Sequence, residues 1–72
     1  MTLNDFIEHI KHRSLSIDVS QRSGTQGIIL ERFHGTVGEY STSLVKEKIG
    51  KVKIDYIVPD DNQLMIVIKE ED

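Results

Sequence analysis

At 72 residues and 8.2 kDa the chain has room for one domain, 1–72, and no second. With 38% apolar residues it carries too much Ile, Val and Leu to stay disordered, and its formal charge is only −3. The absence of cysteine removes disulfides, thiolate metal sites and thiol catalysis. The longest apolar run, Leu64 to Ile68, falls far short of a membrane span, and Asp5, Glu8 and His9 interrupt any signal-peptide pattern at the start. The expectation is a small, soluble, cytoplasmic protein.

A chain this short buries only about 60% of its unfolded surface. One core of this size rarely supplies more than about 3–5 kcal/mol. With disulfides excluded, a homodimer or a binding partner is favoured, and a well-packed monomer is the alternative.

Residues 2–13 read as a helix. Leu3, Phe6, Ile7 and Ile10 recur at i, i+3, i+4 and i+7 and form one apolar stripe. Thr2 and Asp5 have capping-box spacing, and Lys11 and Arg13 suit the last turn. Residues 15–20 switch to period two, with Leu15, Ile17 and Val19 alternating with Ser16, Asp18 and Ser20. The polar stretch 21–27, with two glycines, reads as a turn into a second strand over 28–33. The pair predicts a hairpin.

His34-Gly35-Thr36-Val37-Gly38 reads as a break. Over 42–49 the signals are Ser and Thr as N-caps and Gly50 as a C′ residue, which predicts a short helix, with an irregular turn or a strand as alternatives. Residues 51–58 alternate, with Val52, Ile54, Tyr56 and Val58 on one face, and Tyr56 and Phe6 read as core. Pro59-Asp60-Asp61-Asn62 is turn chemistry. Residues 63–69 form a last strand that is apolar on both faces, hence central or covered on both sides. The order αββ(α)ββ predicts an α+β fold: a four-stranded, mostly antiparallel sheet with the N-terminal helix packed on one face.

Chemistry-bearing clusters are few. Asp5, His9 and His12 fall at i, i+4 and i+7 on the polar side of the first helix, a spacing that could ligate a transition metal. An ordinary solvated helix face, with Asp5–His9 as a weak i,i+4 pair, is the favoured reading, and no fourth ligand is indicated, so no metal and no cofactor is expected. Gly24-Thr25-Gln26-Gly27 and Gly35-Thr36-Val37-Gly38 lack the helix N-terminus and lysine of a phosphate loop and read as turn glycines. The first also fits a KH-type GxxG, but it lacks a helix on each side. No serine sits in a nucleophile elbow or beside a His/Asp set. No catalytic residue is therefore expected, and the chain reads as a non-enzyme.

Charge layout carries more information. Residues 46–53 hold Lys46, Lys48, Lys51 and Lys53 against Glu47, a net +3. Residues 55–72 hold a net −5, with Asp60 and Asp61 at a turn and Glu70 and Glu71 near the end. Asp60, Asp61, Asn62, Glu70 and Glu71 are the candidate partner-binding residues, an acidic knob for a basic protein. The rival is a nucleic-acid-binding or regulatory protein that uses Lys46, Lys48, Lys51 and Lys53. The overall negative charge disfavours direct nucleic-acid binding.

The opening Met1-Thr2-Leu3-Asn4-Asp5-Phe6-Ile7, with Ile10-Lys11 and then a short amphipathic strand, resembles the start of small type II-A anti-CRISPR inhibitors from phage. The strand–acidic turn–strand of Val52–Val58, Pro59–Asn62 and Leu64–Ile68 is similar to the layout of short proteins of phages and conjugative elements in Gram-positive bacteria. The resemblance implies a stoichiometric inhibitor that binds a host nuclease such as Cas9, often with acidic residues in the groove whose arginines read the PAM. This chain is less acidic than those inhibitors, and its acidity lies toward the C-terminus. No individual residue role carries over.

Overall fold

A computed structural model describes residues 1–24 and 27–70. These form helices α1 (Leu3–Glu8), α2 (Val37–Thr42) and α3 (Val45–Ile49) and strands β1 (Ser16–Ser23), β2 (Ile28–Thr36), β3 (Ile54–Pro59) and β4 (Gln63–Ile68). The fold is α+β, with a four-stranded sheet in the order β2-β1-β4-β3. Both hairpins, β1/β2 and β3/β4, are antiparallel, while β1 and β4 run parallel at the centre. The apolar-on-both-faces strand β4 is thus central, as its pattern requires.

The core lies between one face of the sheet and the helices. Ile17 and Val19 of β1 and Ile66 and Ile68 of β4 point inward at period two, and Leu3, Ile7, Val37, Tyr40 and Ile49 meet them from the helices. Phe6, Ile10 and Leu15 pack at its margin. Tyr40 is the largest wholly buried side chain, and its ring meets Phe33 edge-on with centroids 5.3 Å apart.

Three expectations shift. Helix α1 stops at Glu8 rather than at residue 13. Its start is the foreseen capping box, in which Thr2 Oγ1 accepts from Asp5 N–H and Asp5 Oδ2 accepts from Thr2 N–H. Its end is set by His9, whose Nδ1 donates to the Asp5 carbonyl at 2.6 Å. That side chain takes the acceptor that a continuing helix would give to the His9 backbone. Ile10 then reaches the core from a tight turn, its N–H bonded to the Ile7 carbonyl.

Second, the expected break at residues 34–38 carries the end of β2 and the start of α2, and the helix expected over 42–49 forms only over Val45–Ile49, as α3. Thr36 and Glu39 make a second capping box, which overrides the two nearby glycines. Ser43 is extended (ψ 149°) and ends α2; its hydroxyl accepts from Val45 N–H at the start of α3.

Third, Tyr56 is not core. A bulge between Ile54 and Tyr56 in the β3/β4 pairing takes up one residue, so Ile54 and Ile57 face the core while Tyr56 and Val58 face the uncovered side of the sheet. Tyr56 is 40% exposed.

Met1 and Thr2 fold back on the start of β3. Thr2 bridges Lys53, Leu3 N–H donates to the Val52 carbonyl (2.9 Å), and Ile54 N–H donates to the Met1 carbonyl (3.2 Å). These bonds cover part of the free edge of β3 and fix α1 over the sheet.

Candidate docking surface

The acidic turn joins β3 to β4. Pro59 closes β3 at the sheet edge, where its missing N–H costs no ladder bond. Asp60 N–H donates to the Gln63 carbonyl at 2.9 Å, and Asp61 N–H donates to Asp60 Oδ1 at 2.8 Å. These local bonds hold the loop in shape. Asp60, Asp61 and Asn62 are all exposed. Among the described residues the Asp61 carboxylate has no hydrogen-bond donor, so it is available to a partner.

The turn stands between two hollows. On one side it and the α1–β1 connection at His12, Ser14 and Leu15 enclose an open cleft of about 440 Å³. On the other, with Ser16 and His34, it borders a second of about 390 Å³. The parallel pairing of Ser16 with Gln63 puts these parts side by side. Two residues farther along β1, on the uncovered face of the sheet, Asp18 sits opposite His34, and Glu31 lies within reach of both. This end of the molecule therefore gathers four carboxylates, Asp18, Glu31, Asp60 and Asp61.

The other candidate residues fall elsewhere. Glu70 follows β4 at the opposite end of that strand, on the order of 20 Å from the turn at ~3.3 Å per residue. Its carboxylate accepts from Gly24 N–H at 3.1 Å, so it braces the β1–β2 hairpin. Glu71 lies outside the described residues. Lys53 precedes β3, and its carbonyl accepts from Lys69 N–H at 2.8 Å. Lys51 and Lys53 are exposed at the end of the sheet remote from Asp60, Lys48 is exposed on α3, and Lys46 is half-buried. The structure thus separates the lysines from the acidic turn and does not gather all of Asp60, Asp61, Asn62 and Glu70 into one knob.

On the uncovered face, Arg22 reaches Asp55 at 3.1 Å, an ion pair that links β1 to β3 past the end of β4. The Asp5/His9/His12 spacing dissolves because α1 ends before His9. Asp5 instead serves the cap, and the hydrogen bonds from Thr2 hold its carboxyl below the usual value of 3.8. The Asp18/Glu31/His34 group was hidden in the sequence. Only the hairpin register brings together residues 13 and 16 positions apart, and nothing in their spacing announces it.

No family model, no curated protein and no solved structure matches the chain. No helix of the described residues is long and apolar enough to cross a membrane.

Proposed function

We propose that the chain is a non-enzymatic protein-binding domain that docks its acidic end, led by Asp60 and Asp61, onto a basic surface of another protein. The observation that carries this reading is the pairing of an exposed, locally braced acidic turn with a cleft on each side. The turn supplies carboxylates for charge-assisted bonds to Arg or Lys, and the clefts give a partner's side chains somewhere to sit. Lys51 and Lys53 lie at the far end of the sheet, so they do not neutralise the turn. The resulting charge asymmetry orients the domain toward a positive partner before contact.

Within this reading, the N-terminal resemblance makes an arginine-lined nuclease groove, such as that of Cas9, the first partner class to test. Stoichiometric inhibition would follow from blocking that groove. The test is binding of the purified chain to such a nuclease, beside the variant Asp60→Asn/Asp61→Asn. Tight binding that weakens in the variant and at higher salt supports the proposal. Binding indifferent to both changes contradicts it. Duplex DNA is the competing ligand; a gel shift lost on Lys51→Gln/Lys53→Gln would favour the nucleic-acid reading instead.

A further inference from the structure

We infer that Asp18, Glu31 and His34 form a divalent-metal site on the uncovered face of the sheet, of the mixed nitrogen–oxygen kind that suits Zn²⁺. The inference is independent of the docking proposal. Asp18 and His34 are directly paired residues of β1 and β2, so their side chains leave the same face as close neighbours. Glu31 joins them because of the register shift after Val19. The shift leaves Glu31, not Arg32, opposite Ser20. An unbulged strand would set Arg32 two residues before His34 on that face, and its guanidinium would repel a cation. The irregularity exchanges a positive group for a ligand.

The donor atoms of the three residues lie within 4.8 Å of one another. His34 Nδ1 is 4.0 Å from Asp18 Oδ2 and 3.9 Å from Glu31 Oε1. Around Zn²⁺, with bonds of about 2.0–2.2 Å, tetrahedral donors stand about 3.4 Å apart. The two pairs that include His34 therefore close onto an ion by roughly half an ångström, and the Asp18–Glu31 pair by at most about 1.4 Å, within the freedom of the exposed His34 and Glu31 side chains. Asp18 supplies a separate indication. Its Oδ1 is buried and has no hydrogen-bond partner among the described residues. A buried carboxylate oxygen without a donor is costly; Oδ2 is the oxygen that faces His34, so a cation meets that need where Asp18 binds it through both oxygens. Its in-register neighbour on β4, Met65, offers no donor. Imidazole among the donors favours a borderline metal over Mg²⁺ or Ca²⁺, and three protein ligands leave a position for water.

The test is calorimetric titration of the full chain with zinc chloride, with thermal melts in parallel. Wild type should bind one zinc in the micromolar range and melt at a higher temperature with it. Asp18→Asn keeps the side chain's size, so it should still melt cooperatively without zinc, and it should lose both the binding heat and the zinc-induced shift. His34→Ala should lose them too, while His9→Ala, at the end of α1 and outside the cluster, should keep both. Magnesium chloride should give no saturable heat. The inference is overturned if wild type shows no saturable zinc binding, if binding survives in both Asp18→Asn and His34→Ala, or if His9→Ala abolishes it.

Discussion

Tyr40 donates its phenolic hydrogen to Asn4 Oδ1 at 3.0 Å, tying α2 to α1 above the core. The two residues are 36 positions apart, and this contact joins the N-terminal helix to the segment after the first hairpin. Tyr40 is 1% exposed, so the hydroxyl needs a partner within the protein, and Asn4 provides it.

Tyr40→Phe should therefore destabilise the fold by about 1–3 kcal/mol, the cost of leaving a half-buried amide oxygen without its donor. The measurement is urea unfolding of both proteins. Burial also pushes the Tyr40 hydroxyl from 10.0 up to about 12. The folded state thus holds its proton where the unfolded state has released it. The stabilisation is fully present below pH 10 and is lost as pH rises from about 10 to about 12. Melts across that window should show a steeper fall for wild type than for Tyr40→Phe.

Gly50 meets the same helix. It ends α3 with φ −63°, an ordinary right-handed conformation, so no backbone freedom demands glycine here. Space does: a Cβ at this position would collide with the Asn4 side chain and the Lys46 carbonyl. Gly50→Ala should cost about 1–3 kcal/mol through overpacking, in contrast to the mild gain an alanine usually brings at a helix end. Equilibrium unfolding distinguishes the two signs.

Ile7 is 3% exposed in the core under α1. Ile7→Ala should cost about 2–5 kcal/mol, most of the stability of a domain this small. Chemical denaturation reads it directly; a midpoint equal to wild type would mean that α1 does not dock through this face.

The parts of the fold legible in the sequence are those governed by local periodicity. The Leu3/Ile7 stripe, the Thr2/Asp5 cap, the alternation of Ile17 with Val19 and the two-faced strand at Leu64–Ile68 each state their own burial. Features set by register were not legible. The bulge at Asp55 turns Tyr56 outward although its alternation with Ile54 reads as core, because one extra residue inverts every later side chain. The Thr36/Glu39 cap was present as a pattern, yet Gly35 and Gly38 beside it read more strongly as a break. The acidic turn was legible as a turn from Pro59 and Asn62, but its flanking clefts depend on the parallel pairing of β1 with β4, which no local signal specifies. Glu70 shows the same limit: its carboxylate is committed to Gly24, a contact across 46 positions.

The acidic turn is the proposed docking element. The most direct test compares wild type, Asp60→Asn/Asp61→Asn and Lys51→Gln/Lys53→Gln for binding to an arginine-grooved nuclease over a range of salt. Asparagine keeps the turn chemistry, so equal melting temperatures for wild type and the Asn variant would verify the fold. The Asn variant should associate more slowly with a flatter salt dependence, while the lysine variant should bind as well as wild type or better. Undiminished binding by the Asn variant, or loss confined to the lysine variant, would contradict a docking role for the turn.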